Sequence, residues 1–327
     1  MLDSLVSLAS SSILELTAHR CLVKRLPGCC PGALAELFDS EGHRCLGVVE
    51  TVWAHQVEIA LIDEPLGISK SKGKVKLVSR RFGPPLPVDA LGRALDAMGE
   101  PLDGLPKPIP EKALPTGDRK LRLDRAPLRE QLLSGQEDLD ARFALMKGSR
   151  TLLLGENRSS LWRTCRGLLS SLMNANPSCC AVLARGELNS QEKAETFEAC
   201  RDTGELVRMA LLLSEVGDPR CTLGLLAQHA LTMAERLAFE REREVLLFLD
   251  PGFRPTGGSL MAMDASLNSA GVSARNPHCS VTVFWLQAPM PGDLSSWKER
   301  ADCVLFFQEK DGSLEISPDR SYSRFTG

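Results

Sequence analysis

The stretch TLLLGENRSSLWRTCRGLL, starting at Thr151, has the residue types and order of a phosphate cradle. A short apolar run ends in Gly155, a polar bend of Glu156, Asn157, Arg158 and Ser159 follows, and an amphipathic helical pattern starts at about Leu161. That order writes a strand, a loop and a helix, and backbone N–H groups at a helix start suit an anion. A loop that holds nucleotide phosphates reads G-x-x-x-x-G-K-[ST]: the lysine neutralises the terminal phosphates and the hydroxyl coordinates Mg²⁺. Laid on that pattern, Gly155 keeps the first glycine, whereas Ser160 stands at the second glycine, Leu161 at the lysine and Trp162 at the hydroxyl. No lysine occurs between Lys147 and Lys193, so a slipped register supplies none. Arg158 and Arg163 are nearby cations, but a guanidinium differs from an ammonium in reach and geometry. Trp162 would also crowd out a hydrated Mg²⁺. The spacing describes a nucleotide site, and the residues in it predict a vestigial one that does not hydrolyse.

The elements around this loop alternate. Strands are predicted at Thr151–Leu154, Ala181–Ala184, Ala210–Ser214, Val245–Leu249, Ser280–Leu286 and Val304–Gln308. Helices are predicted at Leu161–Met173, Ser190–Thr203, Cys221–Glu240 and Met261–Ser269. Such alternation predicts an α/β domain with a mostly parallel sheet and helices on both faces, over 131–327. Upstream, ALAELFDSEGHRCLGVVETVWAHQVEIALIDE reads as three short strands with breaks at Ser40-Glu41-Gly42 and Ala54-His55, predicting a small β-barrel over 21–88. Between them, 89–130 is rich in proline and glycine and reads as a hinge, with a short helix from about Asp89 to Met98. Residues 1–20 are expected to form an amphipathic lead-in helix.

Composition narrows the function classes. Of 327 residues, 43% are hydrophobic and 25% charged, the mixture of a packed globular protein. A formal net charge of −3 gives no global basic field for nucleic acid or an anionic membrane. The first residues carry an acid and no base before an apolar stretch broken by serines, which argues against a secretory signal. No segment has the uninterrupted apolar length of a membrane span. A cytoplasmic protein is therefore expected, reaching a membrane only peripherally through a complex. The eleven cysteines include no C-x-x-C pair, and the five histidines form no ligand cluster, so no metal site is expected and the thiols read as buried and reduced.

DALGRALDAMGEPLDG, Asp89 to Gly104, resembles the hinge of the rotary-type ATPase superfamily, which includes the flagellar and type III secretion export ATPases and the α/β or A/B subunits of F- and V-type enzymes. ELFDSEGHRCLGVVE and LGISKSKGKVKLVSRRFGPPLPV are similar to its barrel strands. APLREQLLSGQEDLDARFALMKGSRTLLLGE resembles its approach to the phosphate loop, and ALTMAERLAFEREREVLLFLD its helix and second acidic strand. The likeness runs from about residue 20 to the end of the sequence and implies a RecA-like domain behind a barrel. The barrel and GEPLDG lean towards export ATPases, LTMAERLAFE towards the B-type subunit of V-type enzymes.

The resemblance also assigns roles. Asp250, ending VLLFLD, matches the aspartate of the Mg²⁺ shell. The carboxylate that orients the attacking water lies in a Gly-Glu-Arg-Gly segment. In VLARGELNS, Arg185 falls on that glutamate unless Glu187 has shifted into its place. SYSRFTG near the end resembles the segment of the arginine finger, which makes Arg324 the candidate to reach a neighbouring subunit's phosphate site. The sequence stops before the family's helical C-terminal domain, which is therefore expected to be absent. Together these features imply a pseudo-ATPase serving as a structural or regulatory subunit, in a homo- or hetero-oligomer with protein partners of a secretion or rotary complex. No cofactor is expected; the alternatives are ATP or ADP with Mg²⁺ at reduced affinity in a non-catalytic subunit that lends Arg324, or an unusual active ATPase. A further alternative, an unrelated α/β enzyme, finds no Ser/His/Asp or metal constellation to support it.

Overall fold

A computed structural model describes residues 10–79, 90–109, 125–218, 220–250, 252, 268–288, 299–310 and 313–326. They form two units, a barrel and an α/β sheet.

The barrel is built from β1 (Ser10–Leu16), β2 (Arg20–Lys24), β3 (Leu34–Phe38), β4 (Arg44–Val52), β5 (Gln56–Leu61) and β6 (Lys74–Ser79). It closes in the order β1-β2-β5-β4-β3-β6 through antiparallel pairs, so no strand edge is left open. Alternation sets the register: in RCLVK, Cys21 and Val23 point inward and Arg20 and Lys24 outward. Val57, Ile59, Leu61, Val75 and Leu77 complete a side-chain-filled interior. Gly47 is required by close approach, because a Cβ there would stand 2.5 Å from Ile59 Cγ2 and 2.9 Å from the Ala60 carbonyl oxygen.

The lead-in helix expected over 1–20 is not what Ser10–Leu16 forms. This segment is β1, pairing Ser10–Ser12 with Lys76–Lys74 and Ile13 with Val23. Backbone partners on both sides outweigh the helical spacing of its leucines. The barrel therefore begins before residue 21, and residues 1–9 lie outside the described residues.

The sheet begins with β7 (Ala94–Leu95), in place of the short helix expected from Asp89 to Met98. Gly92, Gly99 and Gly104 adopt φ of +85°, +80° and +72°, which no helix accommodates. Asp96 accepts N–H bonds from Met98 and Glu100, both at 2.8 Å. Asp103 accepts from the Ala94 N–H at 3.1 Å and pairs with Arg93 Nε at 2.6 Å. From Ala90 to Gly104, the wording ALGRALDAMGEPLDG thus encodes aspartate-capped turns. Next come β8 (Arg125–Ala126), α1 (Glu137–Arg142), β9 (Arg150–Gly155), α2 (Arg158–Ala175), β10 (Cys179–Leu188), α3 (Ser190–Asp202), β11 (Met209–Glu215), α4 (Arg220–Phe239) and β12 (Glu244–Asp250). The last elements are β13 (Gly271–Ser273), β14 (Ser280–Gln287), β15 (Cys303–Lys310), β16 (Ser313–Ile316) and β17 (Tyr322–Ser323). The helix expected at Met261–Ser269 falls largely outside the described residues.

The strand order is β16-β15-β9-β14-β12-β10-β11-β7, parallel from β15 to β7, with β16 antiparallel at one edge. β12 and β14 are buried along their whole length, as a sheet covered on both faces requires. Leu226, Ala230, Met233, Ala234 and Leu237 of α4 pack on one face. Leu161, Cys165, Leu168, Leu169 and Leu172 of α2 pack on the other. The carboxyl ends of β9, β10 and β12, where open α/β sheets place ligands, bring Gly155, Arg185 and Asp250 to one edge.

Candidate functional site

Only Glu156 and Asn157 separate the end of β9 at Gly155 from the start of α2 at Arg158. Asn157 is the helix N-cap, and its side-chain oxygen accepts the Ser160 N–H at 3.1 Å. One of the amides that would face an anion is therefore satisfied within the chain. Leu161 is buried against the sheet, and a Cβ on Gly155 would meet the Leu161 side chain at 3.3 Å. Trp162 packs partly buried against the same core. Ser159 and Arg163 are exposed, as is Glu156, whose carboxylate lies 4.0 Å from Arg320. Arg320 in turn stacks on the Phe306 ring at 3.4 Å from its centroid.

Asp250 is the centre of the cluster. It is 3% exposed and lies opposite Arg185 in the β10–β12 register. Its Oδ2 accepts from Arg185 Nε and its Oδ1 from Arg158 Nε, each at 3.0 Å. Arg185, itself 2% exposed, also donates to Thr196 Oγ1 and stacks on Trp162, 3.7 Å from the ring centroid. Burial lowers its guanidinium pKa from the usual value, and the Asp250 charge offsets only part of that. Beneath the pair, burial raises the Cys165 thiol pKa well above its ordinary value, with the Asp250 charge adding to the effect. Arg158 reaches on to the carbonyls of Gly186 and Glu187.

Those carbonyls are available because the β10–β11 register shifts between Arg185 and Leu188, and Glu187 takes a left-handed φ of 51°. A bulge of this kind re-aims backbone groups at the end of a strand. Gly252, at φ +81°, passes so close that a Cβ would stand 2.7 Å from the Gly186 carbonyl oxygen and 2.8 Å from Arg158 Nη2. Thr196, Gly186 and Gly252 were not expected from the sequence. A buried arginine and an aspartate on facing strands was the available signal for the cluster, since such charges need partners.

The structure therefore brings Gly155, Arg158, Leu161, Trp162, Arg185, Glu187 and Asp250 to one edge, and it places Arg324 elsewhere. Tyr322–Ser323 pair with Cys303–Val304 at the start of β15, the amino edge of the sheet. There the Arg324 N–H donates to the Asp302 carbonyl and its Nη2 to the Glu299 carbonyl, both at 2.9 Å. Asp302 is also held by Arg150, the first residue of β9, through Nε at 2.9 Å and Nη2 at 2.8 Å. Among the described residues, the one group of three side chains able to share a metal is Asp39, Glu41 and His43 in the barrel. Asp39 already bonds His43 Nδ1 at 2.9 Å, and Glu41 bonds Lys72 at 3.0 Å.

No protein-family model matches the chain. It is similar to the V-type ATP synthase beta chains of two strains of Thermus thermophilus, each 28% identical over 230 residues. The match covers 67% of this chain and 48% of theirs, so the chain spans about half the length of the curated relatives it matches. Together with a closed barrel followed by a parallel α/β sheet, this similarity supports a distant relation to the rotary-type ATPases.

Proposed function

We propose that the chain is a non-hydrolysing relative of the rotary-type ATPases, a structural or regulatory subunit of a secretion or rotary complex. The reading rests above all on one arrangement: both carboxylate oxygens of Asp250 are taken by the buried or half-buried guanidiniums of Arg158 and Arg185. An aspartate serving Mg²⁺ has to offer an oxygen to the ion or its water shell. The other residues do not fit a Mg-nucleotide either. α2 starts at Arg158, so only two residues of the Gly155–Leu161 interval are left as loop to wrap phosphates, Leu161 is in the core where an ammonium would be needed, and Trp162 replaces the metal-binding hydroxyl. Arg185 stands where the resemblance calls for a general base, and a guanidinium does not accept a proton.

Whether its complex is the export apparatus or a V-type ring, the surfaces that matter on this reading are protein surfaces, and membrane association is indirect. The alternative is a non-catalytic nucleotide-binding subunit that lends Arg324 to a partner. Its exposed side chain leaves that open, although the guanidinium is already bonded within the chain.

Calorimetry with Mg-ATP separates the two. The native chain is expected to give no saturable heat at nucleotide concentrations up to about 1 mM, which corresponds to about −4 kcal/mol of binding. The Leu161→Lys, Trp162→Thr double variant is expected to gain none, because Arg158 and Arg185 still hold Asp250. Saturable binding by the native chain would overturn the reading and favour the nucleotide-binding subunit.

A further inference from the structure

Three acceptor oxygens on two strands converge on one side chain. Arg158 donates from Nε to Asp250 Oδ1 at 3.0 Å, from Nη1 to the Glu187 carbonyl at 3.2 Å, and from Nη2 to the Gly186 carbonyl. Each nitrogen of the guanidinium thus has its own oxygen, and the bulge that ends β10 turns the two carbonyls towards it. Gly252 makes the room, because a Cβ there would stand 2.8 Å from Arg158 Nη2 and 2.7 Å from the Gly186 carbonyl oxygen.

Shape and local charge select the occupant of this place. A guanidinium is a planar fork of N–H groups, whereas an ammonium is a compact point charge. A Mg²⁺ ion there would need near-octahedral oxygens, and it would face Arg185 across a carboxylate whose other oxygen is already taken. Of the two arginines on Asp250, Arg158 is the outer one, its side chain 23% exposed against 3% for Arg185. Its side chain is not what starts α2, since Asn157 caps the helix and Leu161 packs into the core. What its three bonds do is tie the loop after β9 to the ends of β10 and β12.

We propose that Gly186, Glu187 and Asp250 form a binding site for a planar guanidinium cation, and that Arg158 is its tethered occupant, a latch that holds the loop after β9 shut. The latch rests on the non-hydrolysing reading above and names the part that keeps the site closed. With the Arg158 side chain removed, the site takes a free guanidinium ion and refuses ammonium and sodium.

The test is chemical rescue of Arg158→Ala in the whole chain, followed by melting temperature. The variant is expected to melt below the native chain and to recover most of the loss, saturably, with guanidinium up to about 20 mM, where its denaturing action is negligible. Ammonium and sodium at the same ionic strength should recover none of it, and the native chain, whose site is filled, should not respond to guanidinium. Arg158→Gln, which keeps one N–H donor group, carries the same titration if the alanine variant does not fold, and is expected to recover in the same way. No rescue of a folded variant, equal rescue by ammonium, or an equal rise in the native chain would overturn the proposal. Failed rescue without nucleotide binding overturns the latch alone, whereas saturable Mg-ATP binding by the native chain overturns the non-hydrolysing reading even where guanidinium rescues the variant.

Discussion

Asp250 answers two guanidiniums with a single carboxylate, and that imbalance sets what substitutions there should do. Removing the charge leaves Arg158 and Arg185 held away from water without their shared counterion, a situation that costs about 3–5 kcal/mol in comparable buried pairs. Asp250→Asn is therefore expected to lose stability on that order in urea unfolding, although nothing in the proposed role depends on catalysis. If Asp250 instead waited for a metal ion, its charge would be a liability in the ligand-free protein and neutralisation would stabilise. An unchanged or raised midpoint would thus count against the cluster. Much of this site was legible beforehand. The missing lysine, Leu161, Trp162 and the arginine at position 185 are plain in the sequence. The pairing of Arg158 with Asp250 was not, because it depends on the bulge at Gly186-Glu187 and on the glycine at 252, which spacing alone does not reveal.

At the scale of elements, long buried strands and the helices between them were readable because apolar runs bounded by polar turns leave few alternatives. Ser10–Leu16 and Ala94–Leu95 were misread for different reasons. In the first, barrel closure supplies backbone partners that outweigh a helical pattern. In the second, Asp96 and Asp103 cap turns that the glycines make possible. The same connector meets α4 at His229, which is fully buried with the Ala97 backbone close to its imidazole. Burial lowers the imidazole pKa from its ordinary 6.5 to about 4, and the Ala97 backbone offsets only part of that. Between those values the unfolded chain binds a proton that the folded chain refuses, so stability rises with pH there and falls as the pH drops from about 6.5 towards 4. At about 1.4 kcal/mol per pKa unit the loss is about 3 kcal/mol. His229→Leu should flatten the stability profile across that window, measured by denaturant midpoints at stepped pH. Carboxylates such as Asp103 and Glu244 are held below their usual range: burial opposes this, but bonds to Arg93 and Lys147 more than compensate. Their stabilisation is present above the unfolded carboxylate range and fades at lower pH, so it does not mask the histidine.

At the scale of the molecule, a nucleotide-driven subunit and a nucleotide-blind one differ in what couples to assembly. A ligand that binds one state better shifts the population of that state, and one without differential affinity shifts nothing. In this chain the two guanidiniums bond both oxygens of Asp250, and Leu161 packs the start of α2 into the core of the sheet. On the proposed reading, no nucleotide-driven change at the loop is left to be passed on to a partner. The sedimentation of the purified chain, whatever its oligomeric state, should therefore be the same with and without about 1 mM Mg-ATP. A nucleotide-dependent change in sedimentation would show that the closed cluster opens under load. Asp250 would then be free to serve a ligand, and the proposed non-hydrolysing role would give way to that of a nucleotide-binding subunit.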